Sequence, residues 1–166
     1  MRDNKIILFI YFVLLVLVLS ITKMLKNNST EKTIFNLLIN SGIPAPLSLL
    51  IVAQAKHETA KGGIPFTSYS YFTRNNLFGY GFVKGNKLQS GAGGKHPEDG
   101  GVYAKYPSIE NSVLDIAGWY KRRKTIFFPI TEKTDFATAL KNAHFYTAPS
   151  AQYAAGIKKF YKSNLV

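Results

Sequence analysis

The sequence contains no cysteine. That excludes a disulfide framework, a thiolate zinc site and a cysteine nucleophile of the kind some amidases use. Acidic residues are also scarce: 9 Asp and Glu stand against 21 Lys and Arg, for a formal net charge of +12. Beyond Lys26, 17 basic residues against 8 acidic ones leave +9. The imbalance points to a polyanionic partner, and nucleic acid, acidic lipid headgroups and anionic wall polymers all satisfy it. A basic surface kept only for solubility is the plainer alternative. Low-complexity stretches are missing after residue 40. The apolar fraction of 46% and aromatic fraction of 14% exceed those of a disordered chain, so a packed domain is expected. The 166 residues give room for one such core.

Long apolar runs are confined to the N-terminus. Ile6 to Leu19 is uninterrupted apolar or aromatic, and Ser20, Ile21 and Thr22 extend the stretch to 17 residues before Lys23. That is the lower limit for a spanning helix, and no Ala-x-Ala-like cleavage site follows. The expectation is an uncleaved signal anchor with residues 6–22 in the membrane. Arg2 and Lys5 before it, and Lys23 and Lys26 after it, leave its orientation open. The organisation expected is an anchor at 1–26, a polar linker at 27–32 and one domain at 33–166.

Ser29 or Thr30 can cap a helix from about Glu31 to Asn40, ended by Ser41-Gly42. Pro46 suits the first turn of a second helix running to about Thr59, which Gly62-Gly63 terminates. From Tyr69 to Tyr106, aromatics mix with Gly, Asn and Ser, and Lys84-Gly85-Asn86 reads as the turn of a hairpin. Ser108 caps a helix over 109–123, and two more helices are expected over 135–143 and 150–161. The fold class is α+β, mainly α.

In the second helix Leu47, Ile51, Gln54 and Glu58 recur at spacings of four, three and four, placing the glutamate on the apolar stripe. Burial and the negative end of the helix both disfavour its ionised form. A raised pKa is what a general acid at neutral pH requires. A frayed-end glutamate paired with Lys56, Lys61 or Arg74 is the alternative.

The string Ala53-Gln54-Ala55-Lys56-His57-Glu58-Thr59 resembles the A-Q-A-x-x-E-[ST] motif of bacterial wall glucosaminidases, glycoside hydrolase family 73. Asn75-Asn76-Leu77-Phe78-Gly79 is similar to that family's N-[NL]-x-F-G-[IM] signature. Tyr106 to Asp115 resembles its Y-x-S-x-x-x-S-x-x-D segment, and Tyr146 to Ala154 its Y-A-T-D-P-x-Y-A element. The last match lacks the family's Asp and has one more residue between Tyr146 and Tyr153. The resemblance runs in order from about Ala45 to Tyr161.

It implies a lysozyme-like α-lobe, a small β-lobe and a sugar groove between them, cutting β-1,4 bonds after N-acetylglucosamine in peptidoglycan. Glu58 takes the role of proton donor. Gln54, Asn75, Asn76, Phe78 and Gly79 are the implied substrate-binding residues, and Tyr146 or Tyr153 stands near the cleavage point. Packing alone also accounts for Phe78 and for each tyrosine. The partner implied is peptidoglycan, with the domain on the outer side of the membrane, as a monomer and without nucleic acid.

Glycoside hydrolysis usually needs a second carboxylate. Glu98 and Asp99 are the ones placed for it by sequence, and Glu98 is taken as the candidate base; an N-acetyl group on the substrate is the alternative. Glu110 and Asp115 suit helix capping and a structural hydrogen bond. No metal or other cofactor is expected: HETAK lacks the second histidine of H-E-x-x-H, and His96 and His144 do not supply a set. The basic run Lys121-Arg122-Arg123-Lys124 is either a patch for nucleic acid or membrane, or a complement to a helix C-terminus. The competing functions are a lytic transglycosylase on the same fold and a non-catalytic wall-binding or virion protein.

Overall fold

The computed structural model describes residues 3–95 and 100–163. Its first helix, α1 (Asp3–Asn40), is 38 residues long, a rod of about 57 Å. The expected helix start at Glu31, with Ser29 or Thr30 as its cap, is therefore not observed. The polar stretch before Glu31 contains neither Gly nor Pro, so nothing in it stops a helix already under way.

The two ends of α1 differ. Ile34, Phe35 and Leu38 are buried in the core, whereas every residue from Leu8 to Leu19 is exposed, Leu8 at 72%. Among the described residues no helix is long and apolar enough to cross a membrane. The spanning helix expected over residues 6–22 is thus not found as such.

At the centre lies α2 (Ala45–Glu58), with Pro44 preceding it and Pro46 in its first turn. All residues from Leu47 to Lys56 are buried, the pattern of a helix covered on every side. It packs on α1 and on the last helix, α7 (Ser150–Phe160). A buried ion pair adds to the first contact, Lys56 Nζ to Glu31 Oε1 at 2.8 Å, with Lys162 3.3 Å from Glu31 Oε2.

A short helix the sequence did not signal, α3 (Tyr69–Arg74), follows; Ser68 caps it by accepting from the Tyr71 amide. The antiparallel hairpin is β1 (Gly91–Lys95) with β2 (Val102–Lys105), in register Gly91 to Lys105 and Ala92 to Ala104, with an irregularity before Lys95. The hairpin expected around Lys84-Gly85-Asn86 is not there: that segment is a loop, fastened by Asn86 Nδ2 donating to Asp115 at 2.8 Å. A side-chain anchor across 29 residues replaces the expected strand pairing.

Ser108 caps α4 (Ile109–Lys121) as expected, its oxygen accepting from the Asn111 amide. Next come α5 (Lys124–Phe127), α6 (Lys133–Asn142) and α7. Trp119, Tyr120, Phe127 and Phe136 interlock between α4, α5 and α6, with Tyr120 edge-on to Phe127 at 4.9 Å. The result is a mainly helical α+β domain with one small sheet.

Candidate active site

The last residue of α2 is Glu58. Its helix stops there because Thr59 leaves helical geometry and turns its hydroxyl back to the Ala55 carbonyl at 2.6 Å. The same hydroxyl accepts from the Phe66 amide, while the Thr59 carbonyl takes the amides of Thr67 and Ser68. The helix end and the following turn are locked together, which fixes where the glutamate emerges.

Tyr153, on α7, donates its phenolic hydrogen to Glu58 Oε1. The other oxygen, Oε2, lies toward Gly79, where a Cβ would approach it to 3.6 Å. Gly79 has φ +59°, a conformation L side chains rarely adopt, so its missing side chain serves both the turn and the space beside the carboxyl. Burial pushes the Glu58 pKa up to about 7, with the Tyr153 hydrogen bond pulling the other way. Tyr153 itself stays protonated: burial and the neighbouring Glu58 raise its pKa well above the ordinary value. Because Oε1 accepts from Tyr153, a proton on this carboxyl belongs on Oε2.

Two rings hold Tyr153. The Tyr146 ring stacks on it with centroids 3.8 Å apart and planes 5° from parallel, and His57 meets it edge-on at 4.8 Å. The Tyr146 hydroxyl is turned away, donating to the Ala137 carbonyl at 2.7 Å. A groove of about 660 Å³ opens at Glu58, lined among others by Phe78, Gly79, Tyr103, Ser70, Tyr146 and Tyr153.

The other residues expected to bind substrate have different positions. Gln54 is fully buried, and its Oε1 accepts from the Tyr120 hydroxyl at 2.6 Å. Asn75 takes a left-handed conformation at the end of α3, and its amide donates to the Tyr106 and Pro107 carbonyls. The buried Asn76 donates to the Tyr80 and Ala104 carbonyls and accepts from the Phe78 and Tyr80 amides. Both asparagines therefore shape the turn that presents Phe78 and Gly79 rather than lining the groove. Glu98, the expected base, lies outside the described residues.

Asp115 is buried, and its Oδ2 accepts from Asn86, Gln89 and Tyr106 at 2.8 to 2.9 Å, fastening the β-lobe to α4. Glu110 sits in the first turn of α4, where Ser108 holds its pKa below the usual value. Sequence reasoning missed His57, Ser70, Tyr103 and Phe145 as groove residues. For His57 a signal existed, its place beside Glu58; the others are brought in by tertiary packing alone.

Among the described residues, Glu58 is the one carboxyl lining the groove. A carboxyl half-protonated near neutrality, oriented by a tyrosine and facing an open cleft, can deliver a proton to a bound oxygen. Residues 32–165 match the family model described as mannosyl-glycoprotein endo-beta-N-acetylglucosaminidase. The chain matches no curated protein and no solved structure.

Proposed function

Because the chain belongs to the mannosyl-glycoprotein endo-beta-N-acetylglucosaminidase family, we propose that it hydrolyses the β-1,4 bond after N-acetylglucosamine in peptidoglycan, with Glu58 as general acid. The observation that carries this reading is the Glu58 carboxyl, held by Tyr153 at the floor of the groove with its pKa raised to about 7. Glu58 Oε2 gives its proton to the leaving glycosidic oxygen as the bond from C1 breaks. The 2-acetamido carbonyl oxygen of the same sugar closes on C1. Water then opens that ring and returns a proton to Glu58, now the base. Glu98, the base expected from sequence, is the competing second group.

The domain works outside the membrane, and the exposed apolar half of α1 holds it at the lipid surface. Its +9 charge beyond Lys26 draws it to the anionic wall. The test is digestion of purified peptidoglycan by wild type and Glu58→Gln, with the new chain ends identified. Reducing N-acetylglucosamine ends, lost at least about a hundredfold in the variant, support the reading. Anhydromuramic ends identify a transglycosylase, and activity above roughly a tenth of wild type in Glu58→Gln removes the glutamate from its role. Glu98→Gln is expected to cost less than tenfold; a loss as large as that of Glu58→Gln gives the second role to Glu98.

A further inference from the structure

Gly79 and Phe145 line the groove beside Glu58. Those two residues also line a smaller hollow of about 180 Å³ whose far wall is Trp119. Ala143 and His144, on its rim, line in turn a third cavity of about 590 Å³ between α5 and α6. The three hollows therefore adjoin one another through shared lining residues, from Glu58, past Tyr80, Phe145 and Trp119, to the pocket lined by Arg123 and Asp135.

That pocket carries both signs of charge. Arg123 lies on one side; Asp135, Thr138 and Asn142 face it from α6. Its guanidinium stacks 4.2 Å from the Trp119 ring and reaches that residue's carbonyl at 3.4 Å. It is thus oriented in advance, with most of its donors unspent. Neither Arg123 nor Asp135 has an ion-pair partner among the described residues. A polyanion suits this pocket poorly, because Asp135 would repel it. A short peptide bearing a carboxylate and an amine satisfies both side chains, and Ile126 offers an apolar contact between them.

We infer that this pocket binds the stem peptide of the muramic acid residue on the leaving-group side, its carboxylate on Arg123 and its side-chain amine on Asp135. The inference rests on the proposed glucosaminidase reaction and names a substrate determinant for it. The basic run Lys121 to Lys124 thereby acquires a member with a specific task, apart from the helix dipole.

The experiment uses the full chain in detergent micelles and has two arms. In the first, kcat/KM is compared on glycan strands with intact stem peptides and on strands stripped of them by an amidase. Wild type is expected to prefer the peptide-bearing strands by about tenfold, the effect of one charge-assisted hydrogen bond. Arg123→Gln and Asp135→Asn bring the ratio toward one. Equal cleavage of both strands by wild type, or a ratio that neither variant changes, overturns the inference and leaves the glucosaminidase reading intact.

The second arm needs no turnover. Trp119 is the only tryptophan in the chain, so its fluorescence reports on Arg123. Free L-Ala-D-Glu-L-Lys is expected to change it saturably, also in Glu58→Gln, and the Nε-acetylated peptide to bind at least about fivefold more weakly. Arg123→Gln and Asp135→Asn are expected to lose the response at unchanged circular dichroism; equal binding of the acetylated peptide or of polyglycerol phosphate, no response in wild type, or an undiminished response in either variant overturns the inference.

Discussion

Tyr153 and Glu58 stand 95 residues apart in sequence, and the tyrosine hydroxyl donates directly to the glutamate's Oε1. This bond opposes the effect of burial on the same carboxyl. Tyr153→Phe is therefore expected to raise the Glu58 pKa above about 7. The descending alkaline limb of the pH–activity profile should move to higher pH, while the maximal rate falls as the carboxyl loses its orientation. A limb that stays in place, or moves down, would show that the hydroxyl does not control this proton.

Stability should carry the same signature with a defined sign. The folded-state pKa of Glu58 is raised from 4.5 to about 7, so any stability linked to its protonation is complete below pH 4.5 and lost as pH rises through 7. Glu58→Gln has no charge to bury. Its melting temperature relative to wild type should therefore increase between pH 5 and pH 8, measured by thermal unfolding. A difference that is flat across that window counts against a buried, proton-accepting Glu58.

Gly79 is constrained by φ +59°, and the Glu58 oxygen lies in van der Waals reach, 3.6 Å from where a Cβ would be. Gly79→Ala should lose about 1 to 2 kcal/mol from the backbone alone. Its activity should fall further than that destabilisation accounts for, because the methyl enters the space beside Oε2. Wild-type kcat/KM in a folded Gly79→Ala protein would mean that the proton leaves from another side.

The Asp115 carboxylate gathers three donors from the β-lobe onto one oxygen. Asp115→Ala strands Gln89 and Tyr106 in a buried setting and should destabilise the protein by at least about 3 kcal/mol in denaturant titration. Hydrogen exchange should rise first at residues 81–92, which hang from that anchor.

Glu31 is 2% exposed and Lys56 is 3% exposed. Burial lowers the Lys56 pKa, and Glu31 offsets this. Glu31→Ala leaves the ammonium buried without its closest counter-charge, a loss of about 3 to 5 kcal/mol at pH 7. The deficit should narrow toward pH 10, where a neutral Lys56 needs no partner. A uniform deficit across that range would indicate lost packing instead.

What the sequence made legible was local. Pro46, the apolar spacing of α2 and the position of Glu58 are read within one turn or two, and Ser108 announces α4 in the same way. Asn75 and Asn76 were expected in the groove from the family resemblance, yet their partners are carbonyls as far away as Ala104 and Tyr106. β1, with its sequence GAGGK, has no β-branched residue; pairing with β2 makes it a strand, and no propensity signals that. The choice between Tyr146 and Tyr153 likewise depended on α7 meeting α2, a contact with no trace in spacing.

The unbroken course of α1 turns distance along the chain into angle. One residue inserted between Lys23 and Thr30 would rotate the apolar sleeve by about 100° relative to the groove and shift it by about 1.5 Å. Seven residues, close to two whole turns, would nearly restore the original facing at a height about 10 Å greater. The facing of the groove relative to the apolar sleeve is thus written in helical phase, and segment length there is counted in turns rather than residues.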